Sequence, residues 1–208
     1  MFNNINSFFA AMLFLLVTSS VNATILTTNI NSDNDFVAYI STDDSVAGTQ
    51  FREVNYPPYH WSTTITDTLT LTAGQDYYLH IMARDGGGIG GLIGEFSLDS
   101  SDHMFANSLN SLVTGTSYWL GNNEGWGQPY DTSLTDLGAV GVSPWGYSGD
   151  LISMDSSAHW IWAGDANIDN VAFFSTKITA AVPEPTILAL MGFGLVGLVL
   201  TRRRKTEA

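Results

Sequence analysis

The sequence predicts an all-β protein, a jelly-roll-like antiparallel β-sandwich, with an apolar segment at each end. Three observations predict it. Apolar and polar residues alternate over short runs rich in Val, Ile, Thr and aromatics, the composition that fits a pleated, half-buried surface. Gly, Asp and Asn fall between these runs as turn residues. No stretch of the body sustains a 3.6-residue period between helix caps.

The elements follow in chain order. Residues 1–23 read as a secretory signal peptide: the apolar stretch 8–17 has the right length, and Val21 and Ala23 permit cleavage before Thr24. The segment before that stretch carries no Lys or Arg, unlike most such leaders. Residues 35–41 alternate, with Phe36, Ala38 and Ile40 on one face and Val37 and Tyr39 on the other. Residues 59–66 and 68–72 have strand composition, and Ala73-Gly74-Gln75-Asp76 is a turn. The strongest strand is 77–83, with His80 opposite Tyr77, Leu79 and Ile81, facing solvent or a hydrogen-bond partner. A glycine-rich loop at 86–91 precedes strands at 92–98, 160–162 and 170–179. The region 107–157 mixes Gly, Ser and Asn with Trp119, Trp126, Trp145 and Tyr147, and reads as short strands joined by long loops. Loops of that length in a compact domain more often carry function than not.

Composition narrows the functions. The body, residues 24–181, is long enough for one domain with a sizeable core. It holds eighteen acidic residues against Arg52, Arg84 and Lys177, a net charge of −15. Such a surface repels phosphate backbones, so no nucleic acid is expected as a partner; neutral polysaccharide, cations or a basic partner fit. There is no cysteine, which removes disulfides, thiolate metal sites and a cysteine nucleophile. The histidines His60, His80, His103 and His159 show no zinc-protease spacing, no serine sits in a Gly-x-Ser-x-Gly elbow, and the 86–91 loop lacks the lysine of a phosphate-binding loop. The body is therefore expected not to be an enzyme, although a carboxylate pair for glycan hydrolysis is a matter of spacing that only a fold shows.

The tail sets the address. Pro183, Glu184 and Pro185 precede an apolar run at 186–200, which is followed by Arg202, Arg203, Arg204 and Lys205. Fifteen residues of helix span about 22 Å, short of a hydrocarbon core of roughly 30 Å, a gap that flanking residues and local thinning cover. The basic cluster belongs on the cytoplasmic side, which puts the body outside. Residues 182–205 closely resemble the PEP-CTERM sorting signal of Gram-negative bacteria, on Pro183-Glu184-Pro185, the run dotted with Gly192, Gly194 and Gly197, and the terminal basic residues. The resemblance implies a transmembrane helix, cleavage near the motif by an exosortase (a membrane peptidase), an outer-surface or extracellular destination, and a link to exopolysaccharide and biofilm.

A fainter resemblance covers part of the body. Residues 35–45, the "leucine, turn-glycine, long strand" hairpin of 68–74 and 78–81, the 86–94 crossing, and a strand pair of 158–162 with 172–175 resemble a galactose-binding-like jelly roll. That resemblance implies a carbohydrate-binding module. Candidate sugar contacts are Trp126, Asn123 and Asp131 in one glycine-flanked loop, and Trp145 with Tyr147 in another, because a pyranose offers an apolar face and a rim of hydroxyls. Trp61, Trp160 and Trp162 read instead as core residues. Asp33, Asp35 and Asp43 are a candidate calcium set, since Ca2+ takes six to eight oxygens. Asp165, Asn167 and Asp169 lack the glycine and distal glutamate of an EF-hand loop and read as turn residues. The expectation is an exported module that binds extracellular polysaccharide. The alternatives are a structural or adhesion protein without a sugar site, and a glycan-acting enzyme.

Overall fold

Period-two alternation resolves into two facing antiparallel sheets in a computed structural model, which describes residues 23–58 and 61–181. The strands are β1 (Thr24–Asp33), β2 (Asp35–Ser41), β3 (Thr49–Val54), β4 (Ile65–Leu71), β5 (Tyr77–Arg84), β6 (Gly91–Leu98), β7 (His103–Phe105), β8 (Ser111–Val113), β9 (Leu120–Asn122), β10 (Leu134–Ala139), β11 (His159–Ala163) and β12 (Val171–Ala180), with a 3-10 turn at Gly149–Ser153. The first sheet runs β10-β11-β6-β1-β4, with β8 also on β6. The second runs β3-β2-β5-β12-β7, with β9 also on β12. We call them sheet A and sheet B. The expected sandwich is the observed one.

The main core lies between the sheets. Leu26 and Ile30 of β1, Leu92, Phe96 and Leu98 of β6 and Ile161 of β11 meet Phe36 and Ala38 of β2, Leu79 and Ile81 of β5 and Phe174 and Ile178 of β12. Alternation sends the intervening residues to the two outer faces. Strand β2 has the expected bounds, and β5, β6, β11 and β12 differ from expectation by a residue or two. The runs 59–66 and 68–72 become one strand, β4; Tyr59 and His60 lie outside the described residues.

Three departures matter. Strand β1 was not anticipated, yet it is central to sheet A between β4 and β6. The expected hairpin across Ala73–Asp76 does not form, because β4 pairs with β1 in sheet A while β5 pairs with β2 and β12 in sheet B. The turn there carries the chain from one sheet to the other. Likewise β11 and β12 are not a strand pair: β11 lies in sheet A and β12 in sheet B.

The long middle segment is largely packed. The stretch 140–158 folds back over the outer face of sheet A and builds a second apolar cluster from Ile93, Val140, Trp145, Leu151, Met154, Ala158 and Trp160, flanked by Trp61 and Val142. Trp145 stacks on Trp160 with ring centroids 4.2 Å apart and planes 16° apart. Both rings lie above Gly91, where any Cβ would stand 2.7 Å from Trp145 and 2.8 Å from Trp160. The Trp145 indole N–H donates to Asp33 Oδ2 at 2.9 Å. A fully buried aromatic in such a cluster is worth several kcal/mol. Trp160→Ala is expected to lower unfolding free energy by about 3–5 kcal/mol in urea denaturation; a loss below about 1 kcal/mol would show that the segment is not packed onto the sheet.

Candidate functional site

The outer face of sheet A beside the second cluster carries a groove of about 580 Å3. Its floor is set by alternation. Asn29 of β1, Glu95 and Ser97 of β6, Asp136 of β10 and His159 of β11 line it, and the 114–118 segment and Asp155 form its walls. Thr114 fixes the floor where β6 and β11 diverge. Its hydroxyl accepts from Gly94 N–H (3.0 Å) and donates to the His159 carbonyl (2.8 Å), and it is 1 % exposed.

Polar groups in the groove are mutually oriented. Asn29 Nδ2 donates to Glu95 Oε1 (2.8 Å), and Asp155 N–H donates to Glu95 Oε2 (3.0 Å). His159 Nδ1 lies 2.8 and 2.9 Å from the two oxygens of Asp136. A smaller compartment of about 310 Å3, lined by Thr64, Thr66, Asp150 and Ser153, shares Asn29 and Glu95 with the larger one. The two compartments therefore meet at the Asn29–Glu95 pair. Tyr118 stands at the rim, 56 % exposed, with φ of 65°. Its carbonyl accepts from Thr176 Oγ1 of β12 at 2.8 Å, which holds the segment in place.

Charge is divided between the sheets. Arg52, Arg84 and Lys177 lie on β3, β5 and β12, all strands of sheet B. No Lys or Arg lines either compartment, while Glu95, Asp136, Asp150 and Asp155 do. Burial pushes the Asp136 carboxyl up, but His159 and the Gly138 N–H outweigh it and hold the group below its ordinary value. The Ser157 N–H and hydroxyl hold Asp155 low.

The two loops expected to carry sugar contacts lie on different sides of the molecule. Trp126 lies on the opposite side of the molecule, packed on the outer face of sheet B against Phe173 (4.8 Å), Tyr39 (5.3 Å) and His80 (5.4 Å). Asn123 and Asp131 are exposed in the same loop. Trp145 is 2 % exposed and belongs to the second cluster, so its ring faces protein and not solvent. Tyr147 is exposed, lying over Gly141, where a Cβ would meet its ring at 2.1 Å. Trp160 and Trp162 are fully buried, and Trp61 packs partly buried on the second cluster.

Of the two expectations for His80, solvent or a hydrogen-bond partner, the structure shows the second: the side chain faces away from Leu79 and Ile81, is fully buried and is hydrogen-bonded at both ring nitrogens. Its Nε2 lies 2.9 Å from Asp44 Oδ1 and its Nδ1 3.1 Å from the Ala47 carbonyl. Ser175 Oγ donates to the same Asp44 oxygen at 2.5 Å. Tyr130 stacks over the imidazole. The cluster fastens the 43–47 turn and the 122–131 loop to the sheet.

The calcium set does not assemble either. Asp33 takes the Trp145 indole and the Asn34 amide (2.7 Å), Asp35 takes the Tyr56 N–H and faces Arg84 (3.6 Å), and Asp43 closes its own turn onto Ser45. Asp35 opens the seven-residue strand β2 and Asp43 lies two residues past its far end, about 20 Å of strand away. Among the described residues no group of three or more His, Asp or Glu is gathered for a metal. Asp165 and Asp169 close a turn: Asp169 Oδ2 accepts from Asp165 N–H and Asp165 Oδ1 from Asn167 N–H. Residues that sequence reasoning missed are Asn29, Glu95, Asp136, His159 and Tyr118. Their only local signal is polar residues at alternate positions of apolar strands, as in Asn29 and Glu95.

Comparison with known proteins decides the tail. Residues 181–205 match the family model of the PEP-CTERM protein-sorting motif. The chain carries a PEP-CTERM sorting signal. The protein is thus exported, anchored in the membrane before processing, and processed by exosortase, a membrane enzyme. No curated protein matches the chain, and no solved structure does, so the galactose-binding-like likeness of the body has no counterpart in them. The expected signal peptide, transmembrane helix, Pro183-Glu184-Pro185 motif and basic cluster lie outside the described residues, among which no helix is long and apolar enough to cross a membrane.

Two expectations follow for this PEP-CTERM protein. Alanine at Pro183, Glu184 and Pro185 leaves a full-length, membrane-bound form on immunoblots of fractionated cells; normal trimming would count against the motif as the recognition element. The second concerns acid. Asp43, Asp76, Asp136 and Asp155 are all held below the ordinary Asp value in the folded state. Unfolded, each takes its proton near pH 3.9, so the unfolded chain binds more protons around that pH and stability rises with pH there. The contribution is complete above about pH 5 and is lost as pH falls through the folded values. Asp136→Asn flattens the acid limb of a Tm-against-pH curve; an unchanged limb would remove Asp136 from the account.

Proposed function

We propose that the body is a non-catalytic module that binds extracellular polysaccharide in the groove on sheet A, at the outer surface or in the extracellular matrix of a Gram-negative producer. The observation that carries this reading is the lining. Carboxylate, amide and hydroxyl groups of Asn29, Glu95, Asp136, Asp155 and Ser97 line one groove, and the exposed aromatic side chain of Tyr118 stands at its edge. Sugar hydroxyls need fixed donors and acceptors, and the C–H face of a pyranose needs an apolar platform. The two compartments meeting at Asn29–Glu95 suit a chain of several residues better than a monosaccharide.

The absence of Lys and Arg from the lining supports one class of glycan over another. Uronate or sulfate groups would meet four carboxylates and no Lys or Arg, with His159 engaged by Asp136, so neutral or amino-bearing polysaccharides are favoured. The sorting signal supports the setting, because it delivers the body to the exterior. Carboxylates also serve glycosidases, but Glu95 is engaged with Asn29 and the Asp155 N–H, and Ser157 holds the Asp155 carboxyl below its ordinary value, the opposite of what a general acid needs. This favours a binding role over a hydrolytic one.

The test uses the exported protein and a panel of neutral, amino-bearing and acidic polysaccharides. Saturable retention of a neutral or amino-bearing glycan is expected, weakened about tenfold or more by Tyr118→Ala and by Glu95→Gln with the melting temperature little changed. No retention of any member by a folded protein would favour a structural or adhesion role for the matrix protein.

A further inference from the structure

The two ends of the described chain leave from one pole of the sandwich. Strand β12 is held in the sheet to its last residue. Ala180 pairs with His103 of β7, and its N–H donates to Asp76 Oδ1 at 2.9 Å. The Ala181 N–H donates to the Asp102 carbonyl at 2.8 Å. Lys177 Nζ lies 2.9 Å from Asp76 Oδ2 and steadies that carboxylate. Strand β1 begins beside it. Thr24 is fully buried, with its hydroxyl 2.8 Å from His103 Nδ1 and 2.9 Å from Ser100 Oγ, and the Ile25 N–H donates to Asp99 Oδ1 at 2.7 Å. His103 Nε2 reaches the Gln75 carbonyl at 3.0 Å. The 99–103 turn thus ties the start of β1 to the end of β12.

Pro183 follows Ala181 by two residues. Two residues span about 7 Å at most. A peptidase reads its substrate as an extended segment laid along its own surface, over several residues. An enzyme that holds Pro183-Glu184-Pro185 therefore has no room to stand clear of the body. The apolar run begins at position 186, five residues past Ala181 and about 17 Å away at full extension, so the same pole faces the membrane in which the enzyme sits.

We propose that this pole, formed by the 99–103 turn together with Asp76 and Ala181, is the surface on which the folded body meets exosortase. Its surface suits an obligatory but brief contact. Ser100, Ser101 and Asp102 are small and polar, and two exposed apolar side chains, Ile25 on sheet A and Met104 on sheet B, flank them. A small, mostly polar face lets the enzyme approach without a tight product complex. The groove lies elsewhere, on the outer face of sheet A, so ligand binding and processing use separate surfaces.

The test follows processing of the full-length protein in cells that contain its exosortase, by pulse-labelling and gel mobility. Ser101 is exposed, and Ser101→Trp places bulk on the pole. It is expected to slow processing by about tenfold or more, while the same change at exposed Ser156, beside the groove, leaves the rate unaltered. Inserting six Gly/Ser residues between Ala181 and Val182 adds up to about 20 Å of reach and restores processing of the Ser101→Trp protein. Normal processing of Ser101→Trp at native spacing would overturn the proposal. So would a delay that the insertion fails to relieve, because that delay would come from the fold and not from contact with the enzyme.

Discussion

Trp145 lying flat on Trp160 above Gly91 is the contact on which much of the molecule depends. The chain has no cysteine, so an exported domain of this size must be held by packing alone. A two-sheet sandwich buries one face of each sheet and leaves the other wet. Here the stack closes the 140–158 segment over half of sheet A, and Asp33 anchors the upper indole through its N–H. The outer face of sheet B is covered by a different device. There a buried His80–Asp44–Ser175 cluster and the Trp126 and Tyr130 rings pin two loops to the strands.

These coverings decide where the free surface is. What remains of the outer face of sheet A, once the 140–158 segment has settled, is the groove beside Glu95. Its charge is as much a product of topology as its shape. The three basic side chains of the body fall on strands of sheet B, and although Arg52 reaches across to Asp67 of β4, the groove keeps its carboxylates without a Lys or Arg. An acidic composition spread evenly would give only a weakly selective surface. Segregation leaves the groove lined by carboxylates with no Lys or Arg, a field that repels anions.

The same topology joins address to body. The last strand is hydrogen-bonded to the point where the sorting signal begins, and the first strand starts within contact of it. In sequence the signal thus follows β12 with almost no linker. Processing and folding are neighbours in space as well as in sequence.

Much of the fold was legible beforehand. Phe36, Ala38 and Ile40, or Leu79 and Ile81, announce a core face because a strand repeats every two residues. Strand β1 is weakly marked in the sequence because Thr and Asn alternate with Ile and Leu in a weakly apolar run directly after the expected leader. Its burial comes from neighbours β4 and β6, whose paired residues are 35 to 47 and 58 to 72 positions away in sequence. The hairpin expected at Ala73–Asp76 failed for a related reason. A turn sequence states that the chain reverses, not whether the next strand joins the same sheet.

The candidate site was the least legible part. Trp145 and Trp126 look alike in sequence, each aromatic between polar and glycine-rich neighbours, yet both were drawn into packing by partners 15 to 47 positions away, Trp160 and Phe173. Glu95 and Asp136 look like ordinary strand polar residues until β6, β10 and β11 place them around one cleft. By itself the sequence determined the β class, the acidic and cysteine-free character and the sorting signal, because alternation, composition and a contiguous motif are local properties. Only the tertiary structure decided which aromatics are core, that the three aspartates stand apart, and where a groove remains, because each of those depends on which distant strands pair and which loops fold back over them.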